Sequence, residues 1–214
     1  LNAASFFERA RQRCGRMDPA AGLIIVDVDH FKSINDVYGH QFGDSYLRTI
    51  ADALTLACPE QALLGRIGGD EFAILLDLPA RPQSYLEGVM MRCRTAVQRH
   101  TAMLGKRDLG RVSAGAAICP DHASEFDTLF ELADSALYFS KNTGRGAETV
   151  FSPGRHQRFN PIDLQRQFNE ALRHDRIEPH FQPIHDLRSG LCTGYEVLAR
   201  WRDPDHGLLL PAAF

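Results

Sequence analysis

A sandwich of helices packed over a mixed β-sheet is the fold class this sequence predicts, and three observations predict it. Helical and strand periodicity alternate along the chain as far as Phe151. The apolar run of AGLIIVDVD (residues 21–29) is unbroken until it meets carboxylates, the mark of a strand buried on both faces. ALLGRI and FAILLDL flank a tight turn, so one strand pair is a hairpin while helices cover the rest.

The elements follow in order. SFFERARQRC (5–14) reads as an amphipathic helix, and AGLIIVDVD as the first strand. FKSINDVYGHQFGDSYLRTIADALTLAC (31–58) gives two helical stretches split by Gly39 and Gly43, the second with Leu47, Ile50, Ala51, Leu54 and Ala57 at helical spacing. ALLGRI and FAILLDL are the hairpin strands. A helix near Pro82 to Ala102, a strand GRVSAGAAIC, a helix EFDTLFELADSALYFSKN and a short strand near ETVF complete the unit. The periodicity then fails in SPGRHQRFNP, so the expected division is a first domain over 1–152, a linker over 153–160 and a second segment over 161–214. That segment reads as a helix, IDLQRQFNEALRHD, and two strands, IEPHFQPIHDL and TGYEVLARWRD, joined through RSGL; a helix and two strands cannot enclose a core alone.

Composition narrows the function classes. With 44% hydrophobic and 24% charged residues the chain reads as a soluble globular protein. A formal charge of −3 supplies no general attraction to nucleic acid or to a membrane surface, so an anionic ligand must be held locally. The five cysteines lack CxxC spacing, which argues against a zinc site or a disulfide framework and for reduced thiols in a cytoplasmic setting. The N-terminal stretch lacks the apolar core of a signal or membrane segment.

Chemistry concentrates at RIGGDEF (66–72). Gly68 and Gly69 predict a two-residue hairpin turn with positive φ angles, but a turn gains nothing from the adjacent carboxylates of Asp70 and Glu71 unless a cation lies nearby. Asp27 and Asp29 share a face at the end of a buried strand, where α/β folds place ligands. Asp29 also reads as the N-cap of a helix beginning at His30. If the hairpin and first strand are neighbours, Asp27, Asp70 and Glu71 converge as hard oxygen donors suited to Mg²⁺ and hence to a nucleoside triphosphate. Asn35 and Asp44 offer an amide and a carboxylate for a guanine edge, or caps for the breaks at Gly39 and Gly43. Lys32, Lys141 and Arg145 offer positive charge for phosphates, or are solvated.

DVDHFKSINDVYGHQFGD, RIGGDEF and ALYFSKNTGRG, in that order and at those separations, closely resemble the GGDEF family of diguanylate cyclases, over residues 1 to about 153. The resemblance implies the nucleotide-cyclase-like fold and a reaction joining two GTP into cyclic di-GMP with release of pyrophosphate. It implies that Asp27, the Val28 carbonyl and Asp70 hold Mg²⁺ or Mn²⁺ with Glu71 adjoining. Asn35 and Asp44 would bind guanine, with His40 and Lys32 nearby, and Lys141 and Arg145 would grip phosphates. Gly68 and Gly69 would let the backbone approach the nucleotide, and catalysis would need a homodimer. Many members carry an RxxD product-inhibition site; its four positions here are Pro59, Glu60, Gln61 and Ala62, so that site is expected to be missing. From about residue 160, HFQPIHDLRSGLCTGYEVLARWRD resembles the first part of an EAL phosphodiesterase domain, a TIM-barrel-like fold, with Glu196 of EVL as its candidate metal ligand. The resemblance thus implies a GGDEF-EAL tandem. It leaves open whether the first domain is a working cyclase or a GTP-binding module regulating the phosphodiesterase.

Overall fold

A computed structural model describes residues 1–14, 20–79, 82–153, 161–203, 207–209 and 211. The chain forms two compact units, Leu1–Gln157 and Arg158–Phe214. The expected linker lies almost wholly outside the described residues.

In the first unit the elements run α1 (Ala3–Cys14), β1 (Ala21–Val28), α2 (Phe31–Tyr38), α3 (His40–Ala57), β2 (Leu63–Arg66), β3 (Glu71–Asp77), α4 (Pro82–Ala102), β4 (Val112–Cys119), α5 (Phe126–Asn142) and β5 (Glu148–Val150). The sheet order is β2-β3-β1-β4-β5. β1 pairs antiparallel with both β3 and β4, and only the β4–β5 pairing is parallel, so the sheet is mixed as expected. β1 is central and buried at every position, which is why its sequence is an unbroken apolar run. Its even-numbered residues Ile24, Val26 and Val28 join the core with α2, α3 and α4, while Leu23 and Ile25 join the core with α1 and α5. Two layers of helix thus close over one sheet.

Gly115 on β4 is required by packing: a Cβ there would lie 2.0 Å from the Leu137 backbone nitrogen, so only glycine lets α5 sit this close. Two local expectations need correction. The β2–β3 turn is not a two-residue hairpin: Arg66 pairs with Phe72, and the Ile67 and Gly68 N–H groups both donate to the Glu71 carbonyl. Neither Gly68 nor Gly69 has a positive φ, because the longer loop spreads the reversal over more residues. The second correction is that only Gly39, at φ 84°, breaks the helix pair; Gly43 lies buried within α3.

The second unit contains α6 (Pro161–Arg173) and an antiparallel sheet β6-β7-β8 (Ile177–His185, Cys192–Asp203, Gly207–Leu209), a third strand beyond the two expected. Asp186 Oδ1 accepts the N–H groups of Arg188 and Ser189, shaping the β6–β7 turn. Trp201 is buried, its ring edge-on to Phe168 of α6.

Candidate functional site

The β1–β3 pairing assembles the acidic centre. Asp27 stands opposite Glu71, and the Val28 N–H donates to the Asp70 carbonyl at 3.1 Å. Strand alternation puts Asp27 and Glu71 on the face covered by α5, whose last turn brings Lys141 Nζ to 2.7 Å from Asp27 Oδ2. Asp134, two helical turns before Lys141 on the same stripe of α5, adds a further carboxylate. The pairing thus sets Asp27 beside Glu71, with Lys141 on Asp27 and with Asp70 joined to β1 through its backbone carbonyl.

Its electrostatics are those of an anion cluster short of counter-charge. Burial pushes the Asp27 carboxyl above the ordinary carboxylate range; the Lys141 hydrogen bond and charge oppose this, while Asp70 and Asp29 reinforce it. Glu71 is raised first by burial and then by the Asp27 charge, with Lys141 opposing. Asp134 is raised by burial against the same ammonium. A hard divalent cation answers such a cluster. Among the described residues no three acidic, histidine or cysteine side chains enclose an ion position by themselves. Mg²⁺ asks less than that, since it takes one or two carboxylates and completes its shell with phosphate oxygens and water. The all-oxygen donors Asp27, Asp70, Glu71 and the Val28 carbonyl suit it.

Asp29 does not cap α2. His30, in the left-handed region at φ 59°, precedes that helix without a side-chain cap bond. The Asp29 carboxylate is instead buried, accepting the Ser113 hydroxyl at 2.8 Å and the Gly146 N–H at 3.0 Å. Arg111 and Arg145 stand at 4.0 and 3.9 Å from it. Arg111 also donates to the carbonyls of Gly144 and Arg145. Gly144, Arg145 and Gly146 all have positive φ, so the loop presenting Arg145 is unusual backbone held from two sides. The sequence reading missed Arg111, Ser113, Asp134 and Gly146. The one available signal was Ser113, a polar residue in an otherwise apolar strand that nothing local explains.

Asn35 on α2 and Asp44 on α3 flank the Gly39 break. The cap alternative fails, since the Gly39 N–H bonds the Asn35 backbone carbonyl and neither side chain caps a helix. Asn35 Oδ1 is buried without a hydrogen-bond partner among the described residues, leaving an acceptor for a ligand or water. A Cβ on Gly43 would fall 1.9 Å from that oxygen, so this glycine makes room for the amide. A Cβ on Gly68 would meet Glu71 Oε2 at 2.6 Å, whereas Gly69 faces open space. Asp44, Lys32 and His40 are exposed. A groove of 830 Å³ lined in part by Ile34, Val37, Tyr38, Arg107, Arg111 and Arg145 runs beside the Asp29 network. In the second unit Glu196 is exposed on β7, opposite Gln182.

A family model described as "Diguanylate cyclase, GGDEF domain" matches residues 2–147, and one described as "EAL domain" matches residues 165–214. The chain is 36% identical over 90% of its length to the cyclic di-GMP phosphodiesterase PdeR of Escherichia coli strain K12, covering 29% of that protein. It is 30% identical over 97% of its length to the bifunctional diguanylate cyclase/cyclic di-GMP phosphodiesterase MucR of Pseudomonas aeruginosa, covering 30% of it. It is also 30% identical to the phosphodiesterase NbdA of the same organism, covering 26% of it. The chain thus spans under a third of the length of these curated relatives. Among solved structures, the GGDEF domain of DgcB from Caulobacter crescentus in complex with c-di-GMP is 29% identical, with a TM-score of 0.60 over 70% of this chain and 90% of that one.

Proposed function

Since this chain belongs to the GGDEF family and carries part of an EAL domain after its GGDEF domain, we propose that its first unit is a diguanylate cyclase half-site that binds one GTP with a divalent cation. The observation that carries this reading is the facing pair Asp27 and Glu71 with Lys141 bridged to Asp27. In the reaction, the 3′-hydroxyl of one GTP attacks the α-phosphorus of another; the new O–P bond forms as pyrophosphate leaves, and a second identical attack closes the ring. Each half-site holds one nucleotide, so two copies must meet with two-fold symmetry.

Asp27, Asp70, Glu71 and the Val28 carbonyl would hold Mg²⁺ or Mn²⁺, which when bound neutralises phosphate charge. Lys141 has a double role in this scheme. It compensates Asp27 in the resting chain, and its ammonium turns to phosphate oxygens once the carboxylates are otherwise compensated. Arg145, held out by the Asp29–Arg111 network, adds a second cationic group for the triphosphate. The unpartnered Asn35 amide oxygen and the exposed Asp44 carboxylate accept the guanine N–H donors, with Lys32 and His40 at the rim. Glu71, its proton affinity raised by burial, can relay the proton of the attacking hydroxyl. No membrane-crossing helix is present among the described residues, and the reading places the unit in the cytoplasm, where GTP is supplied.

A second reading, a GTP-binding module that regulates the EAL domain without turnover, is favoured by the names of PdeR and NbdA as phosphodiesterases. Incubating the chain with GTP and Mg²⁺ separates the two. Cyclic di-GMP and pyrophosphate in the product mixture support the cyclase; GTP bound but unchanged supports the regulatory module.

A further inference from the structure

Cys58 and Cys93 lie 35 residues apart in sequence, yet their sulfurs stand 3.8 Å apart. Cys58 follows the last turn of α3, its N–H closing that helix on the Leu54 carbonyl, and Cys93 sits in the middle of α4. The two thiols differ in access: Cys93 is 3% exposed and belongs to the apolar core, while Cys58 is half-buried at its edge. At this distance the two sulfurs are in van der Waals contact, and a disulfide requires them to close to about 2.05 Å.

We propose that Cys58 and Cys93 form an oxidative-modification site that takes a hydroperoxide and closes to a disulfide, stapling α3 to α4. The steps balance. The Cys58 thiolate attacks one oxygen of hydrogen peroxide, the O–O bond breaks, and Cys58 sulfenic acid and hydroxide form. The Cys93 thiol then attacks that sulfur; the S–S bond forms as the S–O bond breaks, and water leaves with the Cys93 proton. Access assigns the order, since the peroxide reaches the half-buried Cys58 and the sheltered Cys93 resolves it. Two further facts fit. The contact with Cys93 lowers the Cys58 thiol below its ordinary value, with Arg92 helping and burial opposing, and the same contact together with burial raises Cys93. Cys14 and Cys119 also interact with each other, but both are buried and burial raises both thiols, whereas Cys192 is exposed in the second unit. In a reducing compartment the staple would be transient.

The test uses the full chain with Cys192→Ser, treated with a small excess of hydrogen peroxide and mapped by mass spectrometry. The expected result is the loss of two hydrogen masses, a Cys58–Cys93 linked peptide reversed by thiol, and a melting temperature higher by roughly 5–10 °C, as closing a loop of this length predicts. In the Cys93→Ser chain the expected product is a sulfenic acid at Cys58, trapped by dimedone; Cys93→Ala serves the same purpose if serine disturbs the core. Linkage through Cys14 or Cys119 instead, oxidation of Cys58 to sulfinic acid with Cys93 present, or thiols unchanged under peroxide would each overturn the proposal.

Discussion

Lys141 Nζ lies 2.7 Å from Asp27 Oδ2, tying the last turn of α5 to the end of the central strand. Burial raises the Asp27 carboxyl above its ordinary value while the Lys141 hydrogen bond and charge oppose this, so a negative charge here is costly unless a cation faces it. In the proposed cyclase that charge is spent on a cation. Asp27→Asn and Asp70→Asn should each lower cyclic di-GMP formation on the order of 100-fold or more, while Asp27→Asn leaves the fold intact. Cyclase rates and melting curves on the same preparations check this, and an undiminished rate in Asp27→Asn sinks the assignment.

Asp134 tests the electrostatics apart from turnover. A carboxyl raised in the folded state contributes stability that is complete below its ordinary value, 3.8 here, and lost as pH rises through the folded value. Asp134→Asn should therefore melt higher than the parent at pH 7, and the gain should vanish near pH 3.5. Thermal melts across that range decide; a variant less stable at neutral pH contradicts the sign.

Asp29→Ala removes the acceptor of the Ser113 hydroxyl and the Gly146 N–H. The Gly146 N–H keeps Ser113 Oγ as an acceptor at 3.2 Å, so the Ser113 hydroxyl is the buried donor left unpaired, at a cost of about 1–3 kcal/mol. The loop presenting Arg145 loses one of its anchors, so the KM for GTP should rise more than kcat falls. Steady-state kinetics on Asp29→Ala and Ser113→Ala give the comparison; equal loss in kcat alone speaks against a positioning role.

Two glycines predict opposite outcomes. In Gly115→Ala the new methyl meets helix backbone, which cannot move aside, so the first unit should lose about 3 kcal/mol or more, or fail to fold. In Gly43→Ala it meets the Asn35 amide, which can rotate away, and helix propensity improves by up to about 1 kcal/mol. Stability should hold while GTP affinity falls, as calorimetry with GTP can measure.

His122 should contribute an acid-side loss of stability. Its Nδ1 accepts the Ile118 N–H at 3.0 Å, and burial depresses its value below 6.5. A histidine depressed by folding contributes stability that is present above its ordinary value and lost as pH falls through the folded value. Cooling of the melt between pH 7.5 and 5 should be larger in the parent chain than in His122→Gln; identical slopes refute it.

Much of this protein was legible in the amino-acid sequence because local periodicity encodes it. The unbroken run at Leu23–Val26 could only be a strand covered on both sides, and α4 was readable from Pro82 to Ala102. Asp70 and Glu71 stood out because a turn has no use for them, and Asp27 because it stands near the end of an otherwise apolar strand. What tertiary structure alone decided are relations between residues distant in the chain. Asp29 looked like a helix cap because a cap is the only local use for it; its true partners, Ser113 and Gly146, lie 84 and 117 residues away. Gly43 looked like a break because nothing local reveals that the space of its missing side chain is taken by Asn35. Gly68 and Gly69 looked like positive-φ turn formers because the hairpin register, set by Arg66 facing Phe72, depends on how the paired strands pack. Strand and helix identity follow from spacing within one segment, whereas a buried carboxylate's partner depends on which segments the apolar core brings together.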